Sequence, residues 1–350
     1  MVRARWFRRC LGLLAALWLA LAPAGCDSKE ASPEVLRVWP EPPAPARILL
    51  RQVISGSQDV DRPNFLERLA SIATGSRKQT LLRPQDVAVD GRRVVYVADQ
   101  EHQGIHVFDL EAGESRFLDR AGDLYFVSPA GVAVVDGLLA VSDSALGRVF
   151  LLTPAGELEK TLDRPGGFER PTGLAWDAER RRLYVVDTLA NAVWLFNRHG
   201  KAIKSFGRPG TGEGQFNYPT YLGLDAAGRV YVTDSMNFRI QIFDHDAQFL
   251  RAIGQLGDAT GYMAVPKGVA VDAFGHVYVV DSYLSTVQIF DVEGRFLLAF
   301  GARGDGPGAF QVPTGLAVGE GNRIYVCDGY NRTLQVFEYV GRSGDATDAS

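Results

Sequence analysis

The amino-acid sequence predicts an all-β fold. It is a six-bladed β-propeller of four-stranded antiparallel blades, its ring closed by an N-terminal strand, with one short helix before the first blade. Three observations carry this expectation. One segment returns six times at spacings of 44 or 47 residues. Each copy holds short β-rich runs separated by turn residues. An orphan strand precedes the first copy, and the sixth copy lacks its fourth run.

The copies align on an aspartate that ends a β run: Asp99, Asp143, Asp187, Asp234, Asp281 and Asp328. "VYVAD" and "VYVTD" are such second runs, and a third run follows in each copy, as in "IHVFD", "IQIFD", "VQIFD" and "LQVFE". A short first run precedes ("VAV", "LGL"), and a fourth follows in the first five copies ("AIKSFG", "FLLAFG"). Turn signals such as "DGRR", "AAGR" and "VEGR" separate the runs. Length varies only between first and second runs and between copies, so the four-stranded module is constant.

A single four-stranded sheet with two largely apolar faces is not stable alone. Six in series bury those faces against one another, and a radial arrangement leaves few open edges. A linear solenoid has shorter rungs and no need of antiparallel hairpins. After "LQVFE" the chain runs into "YVGRSGDATDAS", with no apolar fourth strand. The orphan "RILLRQVIS", residues 47–55, is therefore expected to be the outer strand of the last blade. Between it and the first copy, Phe65, Leu69 and Ile72 fall on one face of a short helix.

In "YPTYLGLDAA" and "GRVYVTDSMNFRIQIFD" the fourth copy resembles an NHL repeat, its core being Asp234, Asn237, Arg239, Ile240, Phe243 and Asp244. The loops "GRPGTGEGQFNYP" and "GARGDGPGAFQVP" fit the same pattern, and the resemblance covers residues 83–341. Only the fourth copy has both the Asn and the Arg; Asn331 keeps half of the pair in the sixth. The resemblance implies a propeller that serves as an interaction platform, although some relatives of this shape are enzymes. Fold constrains shape here more than activity.

The N-terminus gives an address. "MVRARWFRRC" is cationic, and residues 11–21 are an apolar run of eleven, which fits a secretory signal and falls short of a bilayer span. Ala24 and Gly25 before Cys26 resemble the lipobox of bacterial lipoproteins, although Pro23 stands where that family prefers a leucine-like residue. The resemblance implies lipidation at Cys26 and an exported, membrane-anchored protein facing the periplasm or cell surface. Of three cysteines, Cys10 leaves with the signal and Cys327 sits in a strand pattern as a small buried residue, so no disulfide framework is expected. The expected organisation is 1–25 signal peptide, 26–46 extended tether, 47–80 closing strand and short helix, 81–341 propeller, and 342–350 disordered tail. Residues 1–25 hold four arginines and no acid, leaving 33 bases against 41 acidic residues. An acidic body of this kind argues against a nucleic-acid partner.

The candidate site residues divide by type. The six anchor aspartates end the second strands, away from the axis, where a short acid accepts the backbone N–H groups of the following turn. Asp90, Asp177, Asp225 and Asp272 open hairpins in the same way. The glycine-rich loops lead into strands, not helix N-termini, so they are not phosphate cradles; Phe216 and Phe310 are expected to plug them. The histidines His102, His106, His199, His245 and His276 occupy non-equivalent places, and no pair is expected to hold a zinc. Lactonase-like propellers, resembled in outline, hold calcium at the channel mouth. Here the innermost strands offer Ala88, Ala133, Ala175, Gly223, Ala270 and Ala317, with Asp86 as the only acid at their entrances. No metal, cofactor or catalytic residue is assigned. The expected binding face gathers Tyr218, Tyr221, Met236, Phe238, Tyr262, Lys267, Tyr283 and Tyr330 with Asp86, because aromatic and methionine side chains on loops over a rigid scaffold suit interfaces. The leading expectation is a non-catalytic platform for another envelope protein. A hydrolase or lyase using the channel mouth, and a glycan- or peptidoglycan-binding module, are the alternatives.

Overall fold

A computed structural model describes residues 35–63, 79–91 and 93–341. Six antiparallel sheets stand around one axis, as expected. In blade four the order from the axis outward is Pro219–Leu224, Val230–Asp234, Arg239–Phe243 and Phe249–Ile253. The β-branched and aromatic residues of these runs alternate between two sheet faces, and both faces are covered by neighbouring blades. The result is a series of inter-blade cores. Tyr184, Val186 and Phe216 pack with Val230, Val232 and Phe243 between blades three and four. Tyr231, Ile240 and Ile253 pack with Val277, Val279 and Phe290 between blades four and five.

The ring closes as the sequence predicts. Ile48–Ile54 pairs antiparallel with Thr333–Tyr339 and supplies the fourth strand of blade six. Ile48, Leu50 and Ile54 are fully buried there. One detail differs from the expected tether over 26–46: Arg37–Trp39 is a strand that pairs with Ile48–Leu50, making blade six five-stranded. The cause is Trp39, whose buried ring sits 6.0 Å from Phe300 and 5.7 Å from Phe337. Its burial holds the proline-rich stretch against the blade, and the added strand covers an otherwise open sheet edge. The signal segment, Cys26, the helix expected at Phe65, Leu69 and Ile72, and the tail over 342–350 lie outside the described residues.

Polar bonds stitch neighbouring blades near the axis. Ser142 Oγ donates to the Thr172 carbonyl (2.5 Å), Thr172 Oγ1 to the Thr220 carbonyl (2.9 Å) and Thr233 Oγ1 to the Lys267 carbonyl (2.7 Å). Ser282 Oγ bonds the Pro313 carbonyl, and Thr314 Oγ1 donates to the Pro84 carbonyl at 3.0 Å. At the seam between blades one and two the bond is reversed: Asp86 Oδ2 accepts the Val132 N–H at 3.1 Å. The inner strands approach so closely that a Cβ on Gly131 would come within 2.2 Å of the Thr172 carbonyl oxygen.

Deleting residues 47–55 is expected to abolish the cooperative melting of the propeller. Three fully buried side chains, at roughly 1.5–3 kcal/mol each, amount to much of a domain's roughly 5–15 kcal/mol. Thermal unfolding followed by circular dichroism checks this, and an unchanged transition would mean that blade six holds without its outer strands.

Candidate functional site

Two regions gather chemistry: the loop face from which the inner strands start, and the channel beneath it. The anchor aspartates build the loop face. Each is fully buried, and each accepts N–H groups from the loop ahead of its inner strand; four of them also accept amides of the turn that follows. Asp281 binds the amides of Ala264 and Val265 ahead of the strand and those of Tyr283 and Leu284 in the turn. Asp328 does the same with Gln311, Val312, Tyr330 and Asn331. The hairpin aspartates are equally structural: Asp90, Asp177, Asp225 and Asp272 accept the amides of Val94, Arg180, Arg229 and His276 at 2.8–2.9 Å.

With the turn fixed, the residue two positions after each anchor points to solvent. The series reads Glu101, Ala145, Leu189, Met236, Tyr283 and Tyr330. Its four large apolar members are 50, 54, 58 and 67% exposed, a level that excludes a core role for any of them. Tyr262, Val265 and Val312 add exposed apolar surface on the leading loops of blades five and six. Leu189 extends the expected face into blade three. Blade two also contributes: a short hairpin, Arg120–Ala121 with Leu124–Tyr125, exposes Leu124, Tyr125 and Val127.

The other expected face residues divide. Tyr218 is half-buried, and Arg170 donates to its hydroxyl while standing 5.7 Å from its ring centre. Lys267 is half-buried nearby; burial first, then the Arg170 charge, pushes its ammonium pKa down. Phe238 is half-buried at a left-handed turn position. Phe216 and Phe310 are buried plugs of the glycine loops, as expected, and Met263 fills the same place in blade five. A glutamine clamps each of these loops: Gln241, Gln288 and Gln335 accept the N–H of Gly214, Gly261 and Gly308 and donate to the carbonyls of Gln215, Tyr262 and Ala309.

Asp86 and Tyr221 are not on the loop face. They are the third residues of their inner strands, where the other four blades have Gly131, Gly173, Gly268 and Gly315. That position faces the axis. The Tyr221 hydroxyl crosses the channel to donate to the Gln85 carbonyl of the opposite blade at 3.2 Å. Together the six inner strands line a cavity of about 240 Å³. Asp86 is 7% exposed, and burial lifts its carboxyl to about 7 against the opposing pull of the Val132 and Val87 amides. Burial likewise raises the Tyr221 phenol, with the Asp86 charge adding to it, so it stays neutral. The Cys327 thiol is buried and raised by the same cause, in keeping with a small core residue.

The histidines, non-equivalent between repeats, include one convergent pair: His102 Nδ1 lies 3.1 Å from His106 Nε2, with Asp99 beside both. The turn that carries His102 folds back over the strand that carries His106, so a spacing of four residues closes on one point.

A family model described as a 6-bladed beta-propeller matches residues 176–253 and again 263–339. No curated protein matches the chain significantly. Solved structures that it resembles include a gluconolactonase from Xanthomonas campestris, 14% identical, with 83% of this chain and 98% of that chain covered at a TM-score of 0.59. A catalytically inactive virginiamycin B lyase from Staphylococcus aureus with quinupristin is 12% identical over 74% of this chain and 95% of that chain, TM-score 0.54. A chain of the nidogen/laminin complex is 19% identical over 63% and 83%, TM-score 0.53. These likenesses are of fold.

The raised Asp86 carboxyl has a consequence for stability. Below its ordinary value of 3.8 both folded and unfolded chains are protonated; as pH rises, the unfolded chain loses its proton first, and the penalty grows until the folded value of about 7 is passed. Asp86→Asn is therefore expected to gain stability relative to the wild type between pH 4 and 7, on the order of 4 kcal/mol by pH 8. Denaturant midpoints of both proteins across that range check it, and parallel profiles would contradict it. The arrangement is that of a sixfold scaffold, a six-bladed β-propeller, with its channel plugged and its loop face open.

Proposed function

We propose that the protein is a lipid-anchored, NHL-type propeller that binds another envelope protein on its loop face and does no chemistry there. The observation that carries this reading is the arc of Leu189, Met236, Tyr283 and Tyr330. Four large apolar side chains occupy one repeat position on neighbouring blades, each with half or more of its surface in solvent. Exposed apolar side chains repeated on a rigid scaffold suit a partner surface. Arg170 and Lys267, close together and with no carboxylate paired to either among the described residues, suit an acidic group on that partner. Anchoring through Cys26 is part of the same proposal, supported by the small residues before it and the apolar run ahead of them.

A second reading, a hydrolase or lyase working at the channel mouth, has one observation in its favour. A carboxyl that titrates at about 7 is in the range of a general acid–base group. Against it, the Asp86 side chain is engaged in the seam to blade two, and Tyr221 stands across the channel.

Two variants test the leading reading in membranes that carry the protein. Tyr283→Ala with Tyr330→Ala is expected to lose partner recovery after cross-linking while its melting temperature hardly moves, because neither ring is in the core. Truncating a single interface aromatic commonly weakens binding by roughly 2 kcal/mol, about thirtyfold. Full recovery by this variant would remove the loop face as the binding surface. Cys26→Ser is expected to shift the protein from the membrane fraction to the soluble one; a variant that stayed with the membrane would leave the apolar N-terminal run as its anchor.

A further inference from the structure

We propose that Asp99, His102 and His106 form a site for one divalent transition-metal ion, zinc foremost, in the loop-face turn of blade one. Three ligand atoms converge. His102 Nδ1 is 3.1 Å from His106 Nε2, and Asp99 Oδ2 is 3.4 Å from His106 Nε2 and 3.8 Å from His102 Nδ1. Zinc bonded to nitrogen and oxygen at about 2.0–2.2 Å holds tetrahedral ligand atoms about 3.3–3.5 Å apart. The observed triangle matches one face of that tetrahedron within a few tenths of an ångström. The His102 side chain is 29% exposed, so the fourth position opens toward solvent. Three protein ligands with an open fourth position is a common zinc arrangement.

Comparison with the other blades separates this cluster from an ordinary variant of the repeat. In blade four Asp234 Oδ2 meets three donors: Asn237 Nδ2 at 2.8 Å, Arg239 Nε at 2.9 Å and Gln241 Nε2 at 3.0 Å. The same offsets in blade one hold His102, Gly104 and His106. No arginine fits at Gly104, where even a Cβ would come within 2.3 Å of the Phe117 ring. A neutral imidazole has one donor and one acceptor nitrogen, and two nitrogens facing at 3.1 Å must include an acceptor. Blade one thus sets two ring nitrogens, at least one of them an acceptor, beside a buried carboxylate where blade four brings two amide donors and a cation. In blades two, five and six the same offset from the aspartate carries Phe150, Gln288 and Gln335, none of them a metal ligand of this kind.

The surroundings orient the three ligands. Asp99 Oδ1 accepts the N–H groups of Arg83 (2.9 Å) and His102 (3.1 Å), and Oδ2 accepts that of Leu82 (2.7 Å). The Phe117 ring packs on both imidazoles, its centre 5.3 Å from His102 and 4.8 Å from His106, and Phe108 stacks on His106 at 5.7 Å. Partners that orient the ligands in this way favour metal binding.

The test uses the full chain purified in detergent and stripped with a chelator. Titration with zinc chloride by calorimetry is expected to show one equivalent bound, with a rise in melting temperature, and cobalt(II) chloride is expected to give visible bands of low-coordinate, nitrogen-ligated cobalt. His102→Asn with His106→Gln installs the residues that blade four carries at those offsets, so the fold has a working precedent in the same chain. That variant is expected to lose affinity by more than the roughly 10–100-fold that outer-shell changes cost. His102→Ala, at a partly exposed turn position, gives a second variant should the double one fail to fold. Absence of saturable zinc and cobalt binding by the wild type, or equal binding by the folded variants, overturns the proposal and leaves the two histidines as a hydrogen-bonded pair.

Discussion

The structure depends on one repeated interaction: a fully buried aspartate at the end of each second strand, whose carboxylate binds backbone amides. A buried charge is costly unless hydrogen bonds compensate it. Here the compensation comes from the loop leading into the blade and, in most blades, from the turn after the aspartate, two segments that a backbone bond also joins, as from the Ser282 N–H to the Val265 carbonyl at 3.0 Å. Tying them together sets the height of the leading loop and the direction of the turn. Each residue at a fixed offset from the aspartate then has a fixed role. The second faces solvent, the third and fifth can reach back to the carboxylate, and the seventh clamps the neighbouring loop where it is glutamine.

A second constraint acts at the axis. Inner strands are close enough that most blades carry glycine at the third position, and Ser and Thr hydroxyls bond across the seams to the backbone of the next blade. Asp86 and Tyr221 are the two exceptions at that glycine position, and they stand in opposite blades. The pairing has a geometric logic. A long side chain needs the whole width of the channel, so Tyr221 reaches Gln85 on the far side, next to Asp86. The plug and the buried carboxyl therefore belong to one local solution of how to fill a narrow axis.

The blades were legible in the sequence because their signals are local and repeated: strand runs, turn residues and the aspartate offset recur six times. Ring closure was legible too, since a missing fourth strand and an orphan strand imply one another. From sequence Tyr221 reads as a loop residue because "NYPTYL" contains two tyrosines, and a proline between them marks the strand start only loosely. Alignment of the third inner-strand position, which reads Asp, Gly, Gly, Tyr, Gly, Gly, contains the signal that would have placed it in the channel. The histidines are non-equivalent between repeats, which hides their convergence; Asn237 and Gln241 of the fourth copy mark both offsets as facing Asp234. Arg37–Trp39 was hidden by flanking prolines, and only the aromatic pocket of Phe300 and Phe337 explains its pairing.

An invariant staple with variable offsets also explains why one face can carry two unrelated devices. The carboxylate keeps the turn in place whatever stands beside it, so the neighbouring positions are free to diverge without loss of the blade. In blades three to six the solvent-facing offset has become large and apolar, while the inward offsets keep glutamine in three of the four. In blade one the solvent-facing offset is Glu101, and it is the inward offsets that have changed, to two histidines. The first change alters what the face can touch; the second alters what the turn can hold. Because each device is built on its own aspartate, and additivity holds for sites without shared partners, loss of one is not expected to disturb the other. A metal at Asp99 would stiffen blade one without reshaping the arc across the ring. If both proposals hold, the propeller separates by blade two tasks that a smaller domain would have to combine in one loop.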